Sequence, residues 1–217
     1  MREVTVKYKL YNFSELSAEA KEKVKQWYLS DELRPVLFKE MVNEDLKNLF
    51  PNSELEVQFA LGYCQGDGLN IYGSFNPMDV IEAIDNGWCG DDYVQVYKGY
   101  FTEKEKRTIE FYMDCYSSSS SYPLEKNRIS AYCIVDRELK YMAETLFEDL
   151  EEQCIKNINK KLLNKLQSFL IDVLVYYCKT WEEIGYKYFY EAEDEEVQEL
   201  CDSNDYEFLE DGKLWSD

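Results

Sequence analysis

Val4, Val6, Tyr8 and Leu10 alternate with charged or polar neighbours, and this period of two predicts a strand at the start of the chain. The period then changes. Ser14 or Ser17 is placed to cap a helix from Ala18 to about Ser30, in which Ala20, Val24, Trp27 and Tyr28 recur at helical spacing opposite Lys and Glu. A second helix is expected after Pro35, with Leu37, Met41, Leu46 and Leu49 as its buried residues and Pro51-Asn52 as its stop. Leu55, Val57, Phe59 and Leu61 alternate with Glu54, Glu56, Gln58 and Ala60. Alternation resumes from Leu69 to Gly73 after Gln65-Gly66-Asp67-Gly68, whose glycines accept positive φ, so residues 54 to 75 read as a β-hairpin. Asn76-Pro77 has the form of an N-cap and first helical position, opening a short helix through about Ile84, and residues 85 to 92 read as loop.

Two strands are expected at about 93–98 and 106–115, the second with Ile109, Phe111, Met113 and Cys115 on one face. Ser117 to Ser121 reads as the hairpin tip before a further strand near 128–135. From Arg137 to about Lys179 the spacing is helical: Leu139, Ala143, Leu146 and Leu150, then Leu162, Leu166, Phe169 and Val173, form two stretches of seam. The register slips near Cys154 to Ile158. One long bent helix is the expectation, with a helical hairpin broken around Asn157-Asn159 as the alternative. Thr180 and Glu183 have capping-box spacing, which starts a new helix at Trp181 and ends it before residue 191. The tail reads as an acid-rich helix and a terminal hairpin in which Tyr206, Phe208 and Leu214 flank Asp211-Gly212, a type I′ turn pair. The fold class is thus α+β: an antiparallel sheet with helices packed on it, then a long helix and an acidic helical and hairpin C-terminal part. A sheet domain over 1–136 and a helical region over 137–217 are expected to pack as one unit.

Composition narrows the chemistry. Apolar residues make up 45% of the 217 residues, enough to build a core despite 31% charged residues. With no histidine, catalytic triads and mixed Cys/His metal sites lose their imidazole. The seven cysteines have no CxxC pair and read as mostly buried thiols. Neither a phosphate-binding loop nor a dinucleotide fingerprint occurs, and Asp85, Asp91 and Asp92 lack the spacing of a calcium loop. Paired carboxylates could still run metal-assisted chemistry, but no pair among 44 acids stands out. The reading therefore assigns no catalytic residue, metal or cofactor, and no enzyme. An N-terminus without an apolar leader and the lack of any spanning apolar run give the expectation of a cytoplasmic protein with no membrane partner.

Charge says more. The net charge of -20 repels nucleic acid and anionic lipid and draws in cationic partners. Glu144, Glu148, Asp149, Glu151 and Glu152 gather at one end of the long helical region, before Lys156, Lys160, Lys161 and Lys165. Between Glu191 and Asp217 stand twelve acids against Lys213 alone, with Tyr206, Phe208 and Trp215 interleaved. A solubilising terminus explains the charge but not the aromatics and the turn. The partner-binding candidates are therefore Glu144, Glu148, Asp149, Glu151 and Glu152 together with Glu191, Glu193, Asp194, Glu195, Glu196, Glu199, Asp202 and Asp205. Tyr63, Gln65, Asp67 and Tyr72 around the glycine turn form a secondary candidate. The expected partner is a basic protein rather than nucleic acid itself, and the helical seam offers a route to a homo-oligomer.

Leu16-Ser17, Glu19-Ala20 and Trp27-Tyr28, followed by Tyr63-Cys64-Gln65-Gly66-Asp67-Gly68 and Gly73, resemble a group of phage and mobile-element proteins marked by a helix ending in Trp-Tyr and a strand, Gln-Gly-Asp-Gly turn and strand. The resemblance covers roughly residues 14 to 75. Some members carry antitoxin-like labels, and phage inhibitors of CRISPR and other bacterial defences come from genes of this sort. What the resemblance implies is a phage setting, in which a small acidic protein occupies the nucleic-acid channel of a host defence effector.

Overall fold

The structure is a computed structural model that describes residues 7–88, 95–116, 122–124 and 139–215. In chain order its elements are α1 (Ala18–Leu29), α2 (Arg34–Leu49), β1 (Glu54–Ala60), β2 (Gly68–Phe75), α3 (Pro77–Asp85), α4 (Glu103–Cys115), β3 (Tyr122–Leu124), α5 (Met142–Glu152), α6 (Lys160–Tyr190) and α7 (Asp194–Ser203). The α+β class holds, with one three-stranded antiparallel sheet in the order β1-β2-β3. Short polar side chains open α1, α3 and α4. Ser17 accepts from Ala20 N at 3.2 Å, Asn76 accepts from Met78 N with Pro77 at the first position, and Thr102 and Glu105 cap each other reciprocally.

Contacts group the chain into two units, residues 39–184 and a discontinuous one made of residues 1–38 and 185–217. In the larger unit β1 and β2 pair from Glu54 opposite Ser74 to Ala60 opposite Gly68. Gly73 has φ +121, and a Cβ there would lie 2.1 Å from the Glu54 carbonyl oxygen, so the strand crossing admits only glycine. Its core gathers Val42, Leu46 and Phe50 of the α2 side, Leu69, Ile71 and Phe75 of β2, Val80, Ile81 and Ile84 of α3, Ile109 and Met113 of α4, and the seam of α5 and α6. Two carboxylates fasten it from within. Buried Asp79 accepts from Asn52 N (2.9 Å), Asn52 Nδ2 (2.8 Å) and Ser53 Oγ (2.6 Å), tying α3 to the start of β1. Asp45 accepts from Tyr177 and Trp181 of α6, both at 3.0 Å.

In the discontinuous unit the core is Phe13, Leu16, Ala20, Val24, Val197, Cys201 and Phe208. Tyr11 and Phe208 exchange backbone hydrogen bonds of 2.9 Å, and Phe208 also bridges to Leu214. The buried Arg34 guanidinium lies between the Tyr28 and Tyr188 rings, 4.4 and 4.1 Å from their centroids, and donates to the Tyr188 carbonyl.

Several expectations are corrected. Residues 106–115 are helix, not strand: apolar positions two apart imitated a strand, but the Thr102–Glu105 box starts a helix whose buried face is Ile109, Tyr112 and Met113, three and four apart. Residues 96–99 are turn, with bonds from Lys98 N to Gln95 O and from Tyr100 N to Tyr97 O, while 93–94 and the strand expected at 128–135 lie outside the described residues. At the N-terminus residues 7–10 form no strand and only Tyr11 makes a bridge; residues 4–6 are outside the described set. The single bent helix over 137–179 is two helices. Cys154 and Asn157 take φ +63 and +60, the Asn159 side chain accepts from Leu162 N, and Ala143 N donates to Gln167 Oε1, so α5 folds back on α6. Thr180 starts nothing, because α6 runs on for 31 residues to Tyr190. At the tail Gly212 alone of its pair has positive φ, so the turn is not type I′. On α2 the buried face is Phe38, Val42 and Leu46, leaving Leu37 and Met41 in solvent.

Two outcomes test this frame. Gly73→Ala should destabilise the protein by roughly 2–4 kcal/mol in urea unfolding, since both φ and the Glu54 carbonyl oppose a methyl group. The Thr102 amide, then Lys165, lowers the Glu105 pKa from 4.5 to about 2. A depressed carboxyl stabilises the fold fully above its unfolded value near 4.5 and loses that contribution as pH falls toward 2. Glu105→Gln should therefore cost about 1 kcal/mol at pH 7, after discounting for solvent screening, and the gap to the parent should narrow in unfolding curves taken below pH 4.

Candidate functional site

An acid-rich segment folds only if its few apolar side chains find a covered place. On α7 Val197 and Cys201 are one turn apart and fully buried against Ala20 and Val24 of α1. Burial pushes the Cys201 thiol up to about 11. Downstream, Trp27 meets Tyr206 and Phe208 edge-on at 5.7 and 6.4 Å. Gly212 is in the left-handed region and so close to α1 that a Cβ would stand 2.5 Å from the Ala20 carbonyl oxygen. Helix and hairpin are thereby pinned on α1, and their remaining faces point to water.

Those faces carry the carboxylates. Glu195, Glu199 and Asp202 recur at one helical turn, about 5.4 Å, and are exposed, as are Glu191, Glu193 and Asp205. The hairpin adds Glu207, Glu210 and Asp211, also exposed, which the sequence reading left out although they belong to the same acid run. Two of the expected residues are engaged by side chains of α1. Asp194 pairs with Lys25 at 2.6 Å and Lys21 at 3.3 Å, and these hydrogen bonds, Lys25 foremost, lower its pKa. Glu196 accepts from the Tyr28 hydroxyl, whose pKa is raised chiefly by burial and then by this bond. Asp202 accepts from Gln198 Nε2 at 2.6 Å yet keeps its exposure. Asp194, Glu195 and Glu196 also face the positive end of the α7 dipole, which favours them there.

The second acidic set belongs to the other unit. Glu144, Glu148 and Glu151 line one open groove of about 420 Å³ with Ala143, Phe147, Lys160 and Asn164. Lys160 Nζ lies 3.3 Å from the Phe147 ring centroid, placing a cation amid these acids. Glu152 is exposed outside that lining, whereas Asp149 is half-buried and helps to raise the Tyr116 pKa, after burial itself. The two acidic helices are therefore separate features, each on its own unit.

Around the glycine turn the roles divide. Asp67 turns into its own loop, its Oδ2 accepting from Gly62 N at 2.6 Å and Cys64 N at 2.9 Å. Its charge and hydrogen bond raise the Cys64 thiol pKa. Tyr72 donates to Glu56 at 2.7 Å, and burial, then Glu56, pushes its phenol up to about 12. Tyr63 and Gln65 are presented outward, Tyr63 being 71% exposed at φ +56.

Asp85 is committed to Lys106 at 2.7 Å and to Gly99 N, and Asp91 and Asp92 lie outside the described residues. Among the described residues no three acid, cysteine or histidine side chains are grouped to hold a metal. Of five described cysteines only Cys178 and Cys201 are buried, and Cys64 and Cys154 are exposed, fewer buried than composition led us to expect. The seam residues Leu139, Ala143, Leu146, Leu150, Leu162, Leu166, Phe169 and Val173 are all covered within the chain. No described helix is long and apolar enough to cross a membrane. Set against family models, curated proteins and solved structures, the chain matches none.

Gly212→Ala should loosen the acidic surface from α1. We expect a loss of roughly 1–3 kcal/mol and faster amide exchange at Leu209 to Trp215.

Proposed function

We propose that this protein is a phage or mobile-element inhibitor, anti-CRISPR-like, that binds a basic nucleic-acid-handling surface of a bacterial defence effector through its carboxylates. The observation that carries the reading is the anchoring of α7 and its hairpin on α1, which leaves Glu195, Glu199, Asp202, Glu207 and Glu210 exposed on ordered backbone. A fixed array of negative charge competes for a cationic groove without the ordering cost of a disordered tail. The resemblance of residues 14 to 75 supplies the phage setting, and the groove lined by Glu144, Glu148 and Glu151 supplies a second acidic contact on the other unit. Charge of this kind speeds encounter and confers steep salt dependence.

The test uses an RNA-guided nuclease or another defence nuclease captured from a bacterial lysate and purified. The parent protein should displace its nucleic acid at low salt, with affinity falling steeply as salt rises. Glu195→Lys with Glu199→Lys and Asp202→Lys should weaken binding by about 100-fold, while Asp194 and Glu196 stay untouched because they hold the fold. Inhibition that survives both the triple variant and high salt would end the charge mechanism.

A second reading, an antitoxin or regulatory module acting through the β1–β2 hairpin, is favoured by Tyr63, a large aromatic side chain held out on left-handed backbone. It predicts that Tyr63→Ala abolishes partner capture and that the triple charge reversal does not.

A further inference from the structure

Helix α2 carries two apolar faces, and the fold covers one. Phe38, Val42 and Leu46 are buried, whereas Leu33, Leu37 and Met41, also four apart, are 61, 48 and 44% exposed, with Val36 beside them at 53%. Leu37 N donates to Leu33 O at 3.0 Å, so the helical repeat reaches back to Leu33 and the ridge lies along a single helix. Isolated exposed leucines are ordinary, but four large apolar side chains on successive turns form a patch that stays costly in water until something covers it. Its border is acidic. Glu32, Glu40 and Glu44 are exposed and make no ion pair among the described residues, while the nearby Lys39 is engaged by Glu56 at 3.5 Å. Past the ridge, Lys47 is the sole cation of the last turn.

An apolar ridge edged by unpaired carboxylates, on a chain of net charge -20, disfavours a second copy of itself and any anionic surface. It suits a helix with the reverse pattern. We propose that the Leu33–Leu37–Met41 face of α2 docks a basic amphipathic helix of a partner protein, whose leucine-type side chains pack along the ridge while its Lys or Arg side chains meet Glu40 and Glu44. This surface is distinct from the α7 carboxylates and does not depend on the inhibitor reading.

The test is titration of the full chain with a synthetic Leu/Lys peptide whose leucines share one helical face, against a shuffled peptide of identical composition. The amphipathic peptide should bind at least about 10-fold more tightly. Leu37→Ser with Met41→Ser leaves the net charge unchanged and should erase that preference while binding of the shuffled peptide persists. Glu40→Gln with Glu44→Gln should flatten the salt dependence of amphipathic-peptide binding. Equal affinity for the two peptides, or a preference that survives the serine variant, would overturn the proposal. So would a dimer in light scattering that the serine variant dissociates, which assigns the ridge to a second copy, or protection of the ridge in the free monomer, which assigns it to the chain's own segments.

Discussion

A carboxylate resists leaving water, and this cost governs how the last thirty residues fold. The segment carries twelve acids, and among its described side chains only Val197, Cys201 and Phe208 are fully covered. Because those three meet Ala20, Val24 and Phe13, every other choice follows. The helix must turn Glu195, Glu199 and Asp202 outward, Gly212 must lie against the Ala20 carbonyl where no side chain fits, and the one half-buried acid of the helix's first turn, Asp194, must be met by two lysines. The exposed acidic surface is thus a by-product of the packing that makes the segment a structure at all.

In the larger unit two carboxylates do turn away from water. Asp79 is buried and receives three hydrogen bonds, and Asp45 stops the hydroxyl of Tyr177 and the indole of Trp181 from being orphaned. Burial, then Asp45, raises the pKa of the Tyr177 phenol, so the ring keeps its proton and remains a donor. These two acids join elements of the larger unit from within, whereas its Glu144, Glu148 and Glu151 stay on the surface.

Local signals carried much of this into the sequence. The hairpin from Glu54 to Phe75, the Asn76-Pro77 start, the Ser17 cap and both stretches of seam were legible because each depends on neighbours a few positions away. Where two periods coincide, sequence misleads: Ile109 and Met113 satisfy a helix as well as Ile109, Phe111 and Met113 satisfy a strand, and the Thr102–Glu105 box, which decides it, was overlooked. On α2 two stripes compete, and only tertiary packing selects Phe38 and Val42 over Leu37 and Met41. The acidic surface was legible as composition. That Asp194 and Glu196 are engaged by α1 was not, since Lys21, Lys25 and Tyr28 lie more than 160 positions away along the chain. Asp67 and Tyr72, candidates of the secondary site, are likewise engaged within the hairpin by hydrogen bonds.

The discontinuity of the smaller unit bears on how the chain matures. Residues 13–24 leave the ribosome well before residues 197–208, so the Ala20–Val24 face of α1 waits for a companion made later. A nascent chain paused in the intervening stretch therefore lacks Val197, Cys201 and Phe208 to cover that apolar face. Until those later residues emerge, quality control meets a chain whose α1 face is still uncovered.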